Sequence, residues 1–244
     1  MTMRRFHAMP DGRRIAFRHT PGSGPALVFL PGYISDMAGS KATAVFDWAV
    51  AQGREALLLD YSGCGDSPGE FADGTLGRWL EEVLALIESQ VGGKVVLVGS
   101  SMGGWLALLA AEALGDRVAA LVGIAAAPDF TEWGYTPAEQ ARLAAGETVL
   151  RANLYGPAPT PTHPGFWQDG QARRRLSGAP IAFDGPVRLL HGLDDAEVPP
   201  DIALRLSAAL CSPDVQIFLL KGGDHRLSRS EDIALLLRTL NPLV

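Results

Sequence analysis

The pentapeptide Gly99-Ser100-Ser101-Met102-Gly103 constrains this chain more than any other stretch. It follows Lys94-Val95-Val96-Leu97-Val98, a β-branched apolar run that reads as a buried strand. It precedes Gly104-Trp105-Leu106-Ala107-Leu108-Leu109-Ala110-Ala111, a run of strong helix formers. G-x-S-x-G between a strand and a helix describes a sharp, strained turn that holds a serine hydroxyl out at the end of a sheet. Glycine at 99 and 103 removes side chains that would clash where strand and helix converge. A serine is a weak nucleophile by itself, so Ser101 needs a base and an acid from elsewhere in the chain.

Five histidines are available: His7, His19, His163, His191 and His225. Only His191 and His225 both follow an apolar strand-like run and lie well downstream of Ser101. His225 sits in Gly222-Gly223-Asp224-His225-Arg226, a flexible loop after Val215 to Leu220. A base that exchanges protons with both the serine and a leaving group suits such a loop. His191 reads instead as a strand-end residue that packs and bonds locally. The acid is Asp194 or Asp195, in the loop after Val187-Arg188-Leu189-Leu190-His191. The spacing H-G-x-x-D-x-x-V-P falls on Asp195, which is favoured, with Asp194 a solvated neighbour. The carboxylate would accept the imidazole N–H, fix the tautomer and stay ionised.

Apolar runs alternate with helical patterns along most of the 244 residues. Arg13 to His19 reads as an edge strand, and Ala26 to Leu30 and Ala56 to Leu59 as buried strands. Lys41 to Ala51 carries a helix pattern. Leu76, Trp79, Leu80, Val83, Leu84 and Ile87 recur at helical spacing up to Gly92-Gly93. Val118 to Ala125, Val187 to Leu190 and Val215 to Leu220 are further strands, with helices over 200–210 and 233–240. This alternation predicts a mostly parallel central sheet with helices on both faces, the α/β class. Ligands in such sheets bind at the carboxyl ends of the strands. The pattern breaks between 128 and 183, a stretch rich in Trp, Tyr, Phe and Pro with short helices expected over 137–145 and 169–176. It reads as a small inserted lid on a core of residues 1–127 and 184–244; a packed surface excursion is the plainer alternative.

Composition narrows the function classes. The net charge of −6 argues against a nucleic-acid or anionic-membrane surface. No apolar run reaches the length of a membrane span. The amino end, Met1 to Pro10, has arginines but no apolar core of a signal peptide, so a cytoplasmic location is expected. Cys64 and Cys211 are the only cysteines, and neither lies in a metal-ligand spacing, so no metal and no cofactor are expected. Arg173-Arg174-Arg175, with Arg142 and Arg151, place positive charge in the inserted stretch of an acidic chain. They are candidates for pairing with an anionic substrate group, or else a solvated helix face.

These segments together resemble the α/β-hydrolases, over nearly the whole chain. Several resemble one subgroup, the mitochondrial palmitoyl-protein thioesterase that also hydrolyses acyl glucuronides, with its bacterial relatives. They are Leu30-Pro31-Gly32-Tyr33-Ile34-Ser35-Asp36-Met37, Gly39-Ser40-Lys41-Ala42 and Asp60-Tyr61-Ser62-Gly63-Cys64-Gly65-Asp66-Ser67. The elbow through Trp105, the stretch from Arg188 to Pro199 and Gly223-Asp224-His225-Arg226 complete the set. Pro31-Gly32 stands where many esterases have His-Gly. The resemblance implies an α/β-hydrolase fold with Ser101, Asp195 and His225 as catalytic triad. It also implies an oxyanion hole from the backbone N–H groups of Tyr33 and Met102. The implied activity is cofactor-free cleavage of acyl esters or thioesters, of small molecules or of an acylated protein, through an acyl-enzyme. The rival reading is a non-hydrolytic protein of the same fold, a ligand receptor or a cofactor-free perhydrolase. Cys64 reads as a small residue beside the site and not as a nucleophile.

Overall fold

The computed structural model describes residues 4–153 and 156–244. The chain opens with β1 (Arg5–Ala8), β2 (Arg14–Thr20), β3 (Ser23–Leu30), α1 (Ser40–Ala51) and β4 (Arg54–Leu59). There follow α2 (Leu76–Gln90), β5 (Val95–Ser100), α3 (Met102–Leu114) and β6 (Val118–Ile124). The interruption holds α4 (Phe130–Trp133), α5 (Pro137–Ala144), β7 (Val149–Arg151), β8 (Thr160–Thr162) and α6 (Pro164–Ala172). The chain closes with β9 (Val187–Gly192), α7 (Asp201–Ala209), β10 (Val215–Leu220) and α8 (Ser230–Leu240).

Eight strands form one sheet in the order β1-β2-β4-β3-β5-β6-β9-β10. The pairs β1–β2 and β2–β4 are antiparallel, and every other neighbouring pair is parallel. The fold is that of an α/β hydrolase. Alternate residues of the central strands feed two separate cores. Val28, Leu57 and Leu97 join Trp79 of α2 and Leu106 of α3 on one face. Leu27, Leu58 and Val96 join Phe46 of α1 and Leu240 of α8 on the other. With both faces covered, the strands read as continuous apolar runs and not as alternating ones. After β3 the chain moves first to β4 on one side and later to β5 on the other. The crevice between β3 and β5 is therefore the topological switch point, where such sheets place ligands.

Two expectations are corrected. The edge on this side is β1, so the Arg13–His19 run forms an inner strand; Arg5–Ala8 is mostly exposed and gives no burial signal. The second helix expected in the insertion is α6, the third one present, and it begins at Pro164 and not near 169, because proline suits the first turn, where its missing N–H costs no bond. The insertion also holds the β7–β8 hairpin, whose three-residue strands are too short to show a period. Tyr155, one of the aromatic residues read into the insertion, lies outside the described residues. Among the described residues no helix is long and apolar enough to cross a membrane.

Candidate active site

Ser101 sits between β5 and α3 with φ 54° and ψ −118°. A non-glycine residue reaches this region only when its surroundings enforce it. They do so here on both sides: Ser101 N donates to Ile124 O at 2.9 Å and Ala127 N to Ser101 O at 3.0 Å. A Cβ on Gly99 would run into the Gly103 carbonyl, and one on Gly103 into the Leu30 carbonyl. The helix therefore starts against the sheet, and Met102 opens its first turn, where backbone N–H groups have no intrahelical partner.

His225 lies in the loop from β10 to α8. Its Nε2 is 3.1 Å from Ser101 Oγ, and its Nδ1 is 2.9 Å from Asp195 Oδ2. An ionised carboxylate can only accept, so Nδ1 carries the proton and Nε2 is left to accept from the serine hydroxyl. Asp195 Oδ1 accepts from Glu197 N and Val198 N, each at 2.9 Å. Burial pushes the Asp195 carboxyl up; hydrogen bonds from His191, His225 and the Val198 N–H outweigh it and hold the group well below the usual carboxylate range. Asp194, in contrast, is exposed, and its backbone N–H donates to Gly223 O at 2.9 Å. His191 is buried with Nε2 2.9 Å from Val198 O, the local bond expected of it. It also lies 3.4 Å from Asp195 Oδ2, a second imidazole on the acid that the sequence did not reveal.

Ser101 and His225 open onto a cavity of about 390 Å³ that the Pro31–Gly39 loop also lines. This loop comes close: a Cβ on Gly32 would lie 3.3 Å from Ser101 Cβ. Buried groups after β4 pin it. Met37 N donates to Asp60 Oδ1 at 2.6 Å, and Tyr61 Oη donates to Pro31 O at 3.0 Å. Glu82 of α2 supports the same turn, accepting from Ser62 N at 2.9 Å and Ser62 Oγ at 2.6 Å. The 60–67 segment, quoted above for the family resemblance, thus braces the neighbouring loop through these bonds. Cys64 is buried there, and burial pushes its thiol up to about 12, which suits a packed residue and not a nucleophile.

The Tyr33 side chain packs in an aromatic cluster with Phe71, Trp79, Phe130 and Phe166, at centroid distances of 4.7–6.3 Å. Two of these rings come from the insertion.

The three arginines do not line the cavity. Arg173 pairs with Asp169 at 2.9 Å, Arg174 with Glu132 at 3.0 Å and Arg175 with Glu112 at 2.7 Å. Their main chain is engaged as well: Trp105 Nε1 donates to Arg173 O, and Arg175 N to buried Asp129. Arg151 is likewise taken by Glu139, and Arg142 by Glu147. Arg173, Arg174 and Arg175, the sequence candidates for substrate binding, thus lie in ion pairs that fasten the insertion to itself and to α3.

Comparison with known proteins agrees with this architecture. A model of the alpha/beta hydrolase family matches residues 27–236. The mouse protein named palmitoyl-protein thioesterase ABHD10, mitochondrial, is 39% identical over 236 residues, covering 94% of this chain and 78% of that one. The human protein of the same name is 34% identical, covering 96% and 78%. Among solved structures, a protein of Agrobacterium vitis S4 superposes with a TM-score of 0.91 at 37% identity, over 100% of this chain and 98% of the other. The β5–α3 elbow, the strand order and these matches agree: the chain belongs to the alpha/beta hydrolase family.

Proposed function

We propose that this hydrolase cleaves acyl esters or thioesters through an acyl-enzyme on Ser101. The observation that carries the reading is the unbroken hydrogen-bonded chain Ser101 Oγ–His225 Nε2, His225 Nδ1–Asp195 Oδ2, at 3.1 and 2.9 Å. Ser101 attacks the acyl carbonyl while His225 Nε2 takes its proton. Asp195 holds the tautomer and stabilises the imidazolium. The oxyanion forms between the Tyr33 and Met102 N–H groups, one from the loop braced by Asp60 and Tyr61, the other from the first turn of α3. His225 then passes its proton to the departing alcohol or thiol. Water, deprotonated by the same imidazole, releases the acid and restores Ser101.

Residues 128–183 act as a cap over this crevice, set on a core of 1–127 and 184–244. The thioester branch takes its support from the relatives, which bear the name palmitoyl-protein thioesterase and are similar over nearly the whole chain. An acylated protein is then a substrate beside small acyl esters. Two free cysteines suit a reducing compartment, for which the cytoplasm is our reading, although those relatives are named mitochondrial.

The test is fluorophosphonate labelling of Ser101 combined with a substrate panel: p-nitrophenyl esters of graded acyl length, an acyl-CoA, an S-acylated peptide and an acyl glucuronide. Labelling of wild type and not of Ser101→Ala, with turnover of at least one of these, is the expected result. An unlabelled wild type that binds the esters without turnover would make the protein a receptor.

A further inference from the structure

Lys41 lines the same cavity as Ser101 and His225, yet acyl transfer as described gives it no task. It is the second residue of α1, directly after the Pro31–Gly39 loop, in the Gly39-Ser40-Lys41-Ala42 segment. Its side chain crosses to the loop that carries His225. Nζ donates to the Arg226 carbonyl, one residue beyond the base, and lies 3.5 Å from Ser228 Oγ. Ser228 Oγ donates to the same carbonyl at 2.9 Å.

This loop needs holding. Leu227, two residues after His225, has φ 42°, a left-handed conformation that a non-glycine residue keeps only where its surroundings enforce it. Its buried side chain and the bond from its N–H to Asp224 Oδ1 at 3.0 Å fix the inner side. Arg229 Nη1 fixes the outer side through Gly222 O at 2.9 Å. Both ties come from the loop itself or its own helix. Lys41 comes from a different element, the start of α1, and joins the segment of the oxyanion donor to that of the base.

Resting on the acyl-transfer reading, we infer that Lys41 is a positioning residue whose ammonium ties the His225 loop to the start of α1 and so keeps the imidazole in line with Ser101. The ammonium is itself tuned. Burial and the neighbouring Arg226 guanidinium push it down to about 8, against the opposing pull of Asp224 and Asp232. Asp36, Glu197 and His225 face the same cavity. Below that pH the bond to the Arg226 carbonyl is charge-assisted; above it the bond joins two neutral groups and weakens.

The test compares wild type, Lys41→Met and Lys41→Arg, with Ser101→Ala as the blank. It reads the rate of fluorophosphonate labelling at Ser101, kcat and KM for p-nitrophenyl acetate, and Tm. A hydrogen bond from a charged group, if fully expressed in the geometry of the base, corresponds to roughly 10- to 100-fold in rate. Lys41→Met is expected to lose that much in labelling rate and kcat, with KM within about twofold. Lys41→Arg should recover most of it and hold its labelling rate above pH 8, where wild type declines. A Lys41→Met protein that labels at the wild-type rate overturns the inference. So does a loss confined to KM, which would make Lys41 a substrate anchor. Should Lys41→Met not fold, the alkaline labelling profiles of wild type and Lys41→Arg decide, and identical profiles overturn it. A wild type that does not label at Ser101 sinks the acyl-transfer reading first, and this one with it.

Discussion

The Tyr33 hydroxyl donates a hydrogen bond to the Pro161 carbonyl at 3.0 Å, across 128 residues of sequence. One residue thus contributes to two structures. Its backbone belongs to the loop over Ser101, and its side chain is clasped by β8 of the insertion. Displacement of the hairpin would therefore pull on the loop over Ser101.

Tyr33→Phe keeps the aromatic cluster and removes only this bond, worth about 1 kcal/mol. Tm should fall by a few degrees at most. The kcat/KM for long-chain p-nitrophenyl esters should fall more than that for the acetate, because Thr160 of the hairpin lines the cavity that a longer acyl chain would fill. Equal losses on both esters would show that the hairpin and the Pro31–Gly39 loop are uncoupled.

Asp195→Asn should cost far more than Asp194→Asn. The amide can present its NH₂ to His225 and favour the unproductive tautomer, a loss of about 10⁴ in kcat in the best-studied triad. Asp194 is exposed and bonds only through its main chain in the interactions seen here, so Asp194→Asn should remain near wild type. The Asp195 carboxyl, although buried, is held below its ordinary range by His191, His225 and the Val198 N–H. Its contribution to stability is therefore present above the unfolded carboxylate value near pH 4 and is lost as pH falls through the lower folded value. Urea titrations of wild type and Asp195→Asn between pH 7 and pH 3 should converge on the acid side. Parallel curves would refute the linkage.

Much of this site is legible in the chain because its parts are local. The elbow needs a glycine on each side of Ser101, and those glycines sit within five residues of sequence. The loops after β9 and β10 announce Asp195 and His225 by following apolar strands. The ties among loops are not legible, because each joins residues far apart with no shared pattern. Lys41 meets Arg226 across 185 positions, and Arg175 meets Glu112 across 63. An arginine run in a sequence looks the same whether its partners are solvent, substrate or a distant glutamate. Only the fold supplies the carboxylates.

The two thiols should differ sharply in reactivity. Cys211 is exposed, whereas Cys64 is buried and pushed up to about 12 by burial, with Asp60 and Glu82 adding to the effect. Iodoacetamide at pH 8 should alkylate Cys211 and spare Cys64 in the native protein, and modify both in urea. Mass spectrometry of the two peptides checks this. Native labelling of Cys64 would mean that the 60–67 turn opens readily, and with it the brace on Met37.

Charge reversal in the insertion should act on stability and not on recognition. Arg175 donates from Nε and Nη2 to the two carboxylate oxygens of Glu112, each at 2.7 Å, and Arg173 meets both oxygens of Asp169 at 2.9 Å. Asp169 Oδ2 also accepts from Gly77 N at 2.7 Å, which ties α6 to the start of α2. Partly exposed pairs of this kind contribute roughly 0.2–1 kcal/mol each, so Arg173→Glu and Arg175→Glu should each lower Tm modestly, the new carboxylate repelling its old partner. Because neither guanidinium lines the cavity, KM for an anionic substrate such as an acyl glucuronide should change no more than KM for a neutral p-nitrophenyl ester. A selective rise in KM for the anionic substrate would restore these arginines to substrate recognition and would require α6 to swing toward Ser101 when substrate binds.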